Sequence, residues 1–249
     1  MKKILLKTIL LVNSAFTLTS CIIIEEGPRP EYISSDKSFS ISLEKAPPIA
    51  AQYRTSACDL PCKNTKENDW YFWRDSDQIE IRNSQNTRSE LWIKDSQTEK
   101  VTYFHLLPED LKGIEYNPVD LKLLGNDKKW ESLATLISPE SISTMMVVGE
   151  TKFLGFDALI FQSEKNQVKN EVIWIPELQL AAKVSQIDGN HQVVSELSTL
   201  LKNNYEKPTT SEDFIKYQII DFSDVGDMEH SLANNWVKKA VHAPGHEHH

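Results

Sequence analysis

From Trp70 onward the chain divides into short runs rich in aromatic and branched residues, each closed by a cluster of turn formers. That spacing leaves little room for anything but a sheet. The runs are Trp70 to Trp73, Gln78 to Arg82, Ser89 to Ile93 and Val101 to Leu106, and Asp75-Ser76-Asp77, Asn83 to Asn86 and Asp95-Ser96-Gln97 separate them. Strand-length segments joined by such turns predict an antiparallel meander. Their aromatics are read as core and cross-strand packing in preference to an exposed binding platform, because alternate positions of a strand share a face. Upstream, Phe39-Ser40-Ile41-Ser42-Leu43 alternates apolar and polar and predicts a short opening strand, which Pro47 and Pro48 break.

Gly113 to Pro118 predicts another strand, ended by its proline. Trp130, Leu133, Leu136 and Ile137 then recur three and four apart within Asp127 to Ile137, a helical stripe. Ser138-Pro139-Glu140 offers an N-cap with proline at the first helical position, so a second helix is expected through about Met146. Gly149 to Leu154 and Asp157 to Ser163 flank Gly155 as a hairpin, and the runs Val168 to Ile175 and Leu178 to Ile187 follow. Val193, Val194, Leu197, Leu200 and Leu201 fit helical spacing, whereas Val193, Leu197, Thr199 and Leu201 fit alternation. Both readings stay open there.

Trp92 in a sheet-forming run, two helices before Gly149, the hairpin at Gly155, and Trp174-Ile175-Pro176 leading into Leu180 to Val184 resemble the lipoprotein-sorting proteins LolA and LolB and the periplasmic sensor RseB. The resemblance spans about Trp70 to Leu201 and rests on the order of elements. It implies an α+β fold, a curved antiparallel β-sheet forming an open half-barrel with helices packed on one face. It also implies an apolar cavity that accepts acyl chains, hence a lipid or lipoprotein ligand, though it carries over no individual binding residue. The same elements around a filled core are the alternative.

At the N-terminus, Lys2, Lys3 and Lys7 precede or interrupt an apolar run from Ile4 to Phe16, the pattern of a secretion signal over residues 1–20. Lys7, Asn13 and Ser14 keep it short of the roughly 20 apolar residues that span a bilayer. Leu18-Thr19-Ser20-Cys21 resembles the lipobox of bacterial lipoproteins, which implies acylation of Cys21 after cleavage before it. The absence of aspartate at Ile22 favours the outer membrane, with the protein facing the periplasm. Residues 21–37, where Gly27, Pro28, Pro30, Ser34 and Ser35 mix with charges, are expected to form a lipidated tether, residues 38–205 a β-rich domain, and residues 206–249 a C-terminal segment.

Losing residues 1–20, with three lysines and no acids, takes the formal charge from −9 to −12. Such a protein is repelled by phosphate backbones, so nucleic acid is not an expected partner. The other cysteines, Cys58 and Cys62, are expected to pair in an oxidising compartment, a small loop contributing about 2 kcal/mol. Three intervening residues and no βαβ pattern count against a redox pair.

In the C-terminal segment Phe214 to Ile220 predicts a strand, Asp221 to His230 an acidic turn and Ser231 to Val241 a short helix. His242, His246, His248 and His249 crowd the last eight residues, and with Asp224, Asp227, Glu229 and Glu247 they suit zinc or copper. A solvated tail is the competing reading. The acidic turn lacks the spacing of a calcium loop. No nucleophile elbow, phosphate-cradling loop or zinc-protease motif occurs; His105 reads as a packed strand residue and His191 as a turn residue. The expectation is a non-enzymatic lipoprotein that binds a hydrophobic ligand or another envelope protein, with metal binding by the histidine tail as the alternative.

Overall fold

The computed structural model describes residues 41–42, 46–201, 206–228, 236–237 and 240. The signal, the tether with Cys21, the histidines at 242, 246, 248 and 249, and most of the expected strand at 39–43 and helix at 231–241 lie outside these. All of the described residues fall within one compact unit, Glu31–His249.

Its strands are β1 (Ile49–Asp59), β2 (Thr65–Arg74), β3 (Gln78–Asn83), β4 (Ser89–Lys94), β5 (Val101–Leu107) and β6 (Lys112–Tyr116). Helices α1 (Pro118–Leu123), α2 (Trp130–Thr135) and α3 (Pro139–Ser143) lead to β7 (Met146–Phe153), β8 (Phe156–Lys165), β9 (Val168–Ile175), β10 (Leu180–Asp188) and β11 (His191–Leu200). Helix α4 (Ser211–Phe214), β12 (Gln218–Asp221) and α5 (Val225–Met228) follow. The strands form one open, curved, twelve-stranded sheet, ordered β12-β6-β5-β4-β3-β2-β1-β11-β10-β9-β8-β7. All neighbours are antiparallel except β12, which runs parallel to β6.

Local chemistry explains the meander. Asn83 Oδ1 accepts from the main-chain nitrogens of Thr87 and Arg88, and Asp95 Oδ1 from those of Gln97 and Thr98, closing two of the expected turns. Leu154 and Gly155 both adopt positive φ and join β7 to β8 with Phe153 opposite Phe156, the two-residue turn whose twist suits a hairpin.

Several expectations are corrected. Pro118 does not merely end a strand: Asn117 caps α1 in a reciprocal capping box with Asp120, and the proline occupies its first turn. The stripe ending at Ile137 is helical only to Thr135, because Leu136 takes a left-handed conformation at the C-cap. Helix α3 stops at Ser143, and Met146 opens β7 instead of closing a helix. Ile41 and Ser42 belong to no strand. Phe214 closes α4, so the strand expected from there begins only at Gln218, and Phe222–Asp224 is a 3-10 turn before α5. The segment after 205 adds a strand to the main sheet.

Strand β1, which no sequence pattern announces, is the seam of the sheet. It pairs with β2 on one side and β11 on the other, so it joins the β1–β6 meander to the β7–β11 meander. Ile49, Ala51 and Tyr53 alternate onto one face with Phe72 of β2, Ile79 of β3, Trp92 of β4, Tyr103 of β5 and Tyr116 of β6, all buried. Leu121, Trp130 and Leu133 of the helices complete that cluster. Ring pairs run through it: Tyr53 stacks on Trp70 at 4.6 Å and Trp92 on Tyr103 at 4.3 Å. In the other meander Ile142 of α3 packs on Phe161, Val172, Trp174 and Ala181.

The C-terminal segment crosses the opposite face of β3 to β5 as a strap. Leu91, Phe104 and Leu106 receive Phe214, Tyr217 and Ile219 there. A Cβ on Gly113 would lie 2.7 Å from Leu106 and 2.8 Å from Ile219, so any larger residue has to push those two side-chain ends aside. Beneath it Glu80, fully buried, accepts from Arg82, from Ser89 Oγ at 2.6 Å and from the main-chain nitrogen of Thr209 at 2.6 Å. Arg82 also donates to the Lys207 carbonyl and lies over the Trp73 ring.

Where β12 meets β6, Glu115 sits opposite Asp221. Burial, then the carboxylates of Asp221 and Asp120, push the Glu115 carboxyl above its ordinary range. A raised carboxyl costs stability above its folded pKa, and the cost fades as pH falls towards the unfolded value. Glu115→Gln is therefore expected to stabilise the protein at pH 7 by under about 1 kcal/mol, the group being partly solvated. Thermal melts should show the gain vanish near pH 4; an equal gain at both pH values would assign it to packing.

Candidate functional site

The face of the sheet that carries Tyr53 and Trp92 is the one an acyl cavity would use. It is occupied by the protein's own side chains. Tyr53, Phe72, Trp92 and Tyr116 are almost wholly buried, and Tyr53 donates its hydroxyl to the Ala181 carbonyl at 2.8 Å. Burial drives the Tyr103 and Tyr116 phenols upward, the latter to about 12, so both stay neutral. Fully burying a large apolar side chain contributes about 1.5–3 kcal/mol. A ligand that displaced three of them would have to recover that whole sum.

Arg74 closes one end of this interior. Its guanidinium is buried and donates to the main-chain carbonyls of Pro47, Ala134, Leu178 and Gln179, between 2.7 and 2.9 Å. One side chain thus ties together the entry to β1, the end of α2 and the β9–β10 turn. Burial pushes it down to about 10, which leaves it charged at neutral pH. A cavity of about 380 Å³ lies beside it, walled by Pro48, Asp75, Lys94, Trp130 and Glu131.

A larger groove, about 480 Å³, opens on the face opposite Tyr53, across β7 to β11. Register places its walls. Directly paired residues of an antiparallel ladder point the same way, so Gln162, Glu171 and Ser185 form one row, and Glu164, Lys169, Ile187 and Gln192 the next. Lys183 lies two residues before Ser185 and pairs with Glu196, which pairs with Arg54, which pairs with Asp69. Charges of alternating sign therefore cross four strands. Lys183 Nζ reaches Glu171 Oε1 at 3.0 Å, while Gln162 Nε2 reaches Oε2 at 3.0 Å. Partial burial opposes ionisation of Glu171, but these two donors prevail and hold its carboxyl below the ordinary value. Val172 and Val184, paired on the reverse face, seat the floor on the α3 cluster.

Other sequence-derived candidates are scattered. Cys58 and Cys62 form a disulfide at the β1–β2 turn, with Cα atoms 5.1 Å apart. His191 Nδ1 lies 3.1 Å from Asp59 Oδ1 nearby, and both are exposed. His105 is buried in β5, at a distance in the fold from that pair. Among the described residues no three His, Cys, Asp or Glu side chains converge to hold a metal, and no described helix is long and apolar enough to cross a membrane. No motif announced the groove, because its walls come from five strands and meet only through register.

No family model and no curated protein matches the sequence. Among solved structures, PNGF-II is similar at 14% identity over 72% of this chain and 33% of its own, with a TM-score of 0.40. The chain thus spans about a third of that protein's length. A putative outer membrane lipoprotein-sorting protein domain from Vibrio parahaemolyticus is similar at 10% identity, 70% and 94% coverage and a TM-score of 0.34. The Pseudomonas aeruginosa MucA/MucB complex gives 11%, 69%, 58% and 0.34.

Proposed function

We propose that this chain is a non-enzymatic binding protein of the cell envelope, tethered at the outer membrane through a lipid on Cys21. Its ligand meets the polar groove of β7–β11, and the interior serves as core. The observation that carries this reading is the aromatic filling of the face an acyl chain would need, where Tyr53, Phe72, Trp92 and Tyr116 are already packed. A groove with polar walls suits a hydrated envelope partner, because its side chains exchange hydrogen bonds with water at little net cost until a ligand replaces that water.

The test is a titration of the full chain carrying Cys21→Ser with dansyl-undecanoate, a fluorescent fatty acid. The expected result is a weak, linear, non-saturating signal. Saturable uptake displaced by palmitate would overturn the proposal and restore an acyl-binding interior.

A further inference from the structure

Resting on the groove reading, we infer that the ligand taken there is a neutral, polyhydroxylated molecule, a saccharide of one or two rings. The backbone speaks first. The floor consists of β8 to β11, interior strands with a paired neighbour on each side, while the edge strand β7 supplies Met146 and Val148 to one wall. A ligand seated on that floor meets side chains alone, so a peptide lying there cannot add its own backbone hydrogen bonds as it does at an edge. Sugar hydroxyls, which donate and accept at once, need only side-chain partners.

Charge argues the same way. The walls carry two lysines and two glutamates among the described residues, and they face one another: Lys183 with Glu171 at 3.0 Å, Lys169 with Glu164 at 3.8 Å. The groove therefore presents no uncompensated charge, although the chain as a whole is distinctly acidic. An ionic ligand gains no steering from such a lining. Glu171 retains acceptor capacity on each carboxylate oxygen beyond the bonds from Lys183 and Gln162, which suits a pair of neighbouring hydroxyls. The amides of Gln162 and Gln192 add paired donors and acceptors, and Val148 and Ile187 offer apolar surface to the C–H face of a ring. The volume of about 480 Å³ falls within the range of small-molecule sites.

Heteronuclear NMR of the full chain with Cys21→Ser tests this, using maltose and N,N′-diacetylchitobiose as neutral probes and trilysine and triaspartate as charged ones. A neutral sugar is expected to shift the side-chain amide signals of Gln162 and Gln192 saturably at millimolar concentration. The double variant Gln162→Ala, Gln192→Ala, its fold verified by a dispersed backbone spectrum, should weaken binding at least about tenfold, as read from the Lys183 and Ser185 amides. If a charged peptide moves these signals and neither sugar does, the ligand class is wrong and the groove reading stands. If no probe moves them up to about 20 mM, or only interior residues respond, both readings fail.

Discussion

Replacing Arg74 with methionine is expected to lower the urea midpoint of unfolding with little change in slope, a loss of about 3 kcal/mol or more. Methionine fills much of the volume but leaves the carbonyls of Pro47, Ala134, Leu178 and Gln179 without their common donor. Each buried acceptor left unsatisfied costs about 1–3 kcal/mol. Relief from holding a buried cation offsets part of that sum, and water recovers some of the rest. Arg74→Lys keeps the charge but presents a compact ammonium that cannot span four carbonyls, so it should fall between the two. A methionine variant within about 1 kcal/mol of the parent would mean that the three segments hold together without the guanidinium.

The second large effect is expected at Glu80. Glu80→Ala should cost about 3–5 kcal/mol, because it leaves Arg82 buried without its carboxylate. It also removes the acceptor for the Thr209 main-chain nitrogen, so amide exchange across 207–219 should accelerate more than in β8 or β9. Removing both charges with Glu80→Leu and Arg82→Leu should be less harmful than Glu80→Ala alone, since the expense lies in the uncompensated ion. If the double variant is the worse of the two, the pair contributes net stability and is not merely self-compensated. Either variant tests the strap without touching the groove.

How far the fold was legible depends on where its signals lie. Strands β2 to β5 announce themselves because their aromatics alternate and Asn83 and Asp95 build turns from adjacent residues. Strand β1 is quiet: its inward face carries the small Ala51 and the polar Thr55 beside Ile49 and Tyr53, and its partner β11 is more than a hundred residues away in the chain. The ambiguity over Val193 to Leu201 has a structural cause. A register shift lets both Leu197 and Leu200 face the core, opposite Tyr53 and Ala51. The two lie three residues apart, which imitates a helix within a strand. The groove was not legible at all, because Gln162, Glu171, Ser185 and Gln192 acquire a common face only through pairing. The capping boxes at Asn117 and Thr210, by contrast, are built from residues three apart in the chain.

The seam at β1 also bears on how the protein is made. Synthesis proceeds from the N-terminus, so β1 to β6 emerge before the strand that matches the other side of β1. Tyr53 must wait for Ala181, 128 residues later, and Thr55 for Ser195, 140 residues later. During that interval a half-built sheet carries an open row of donors and acceptors, the kind of edge that recruits chaperones or wrong partners. Thr55, Ser56 and the charged Arg54 on that edge keep the waiting strand hydrophilic until β11 arrives.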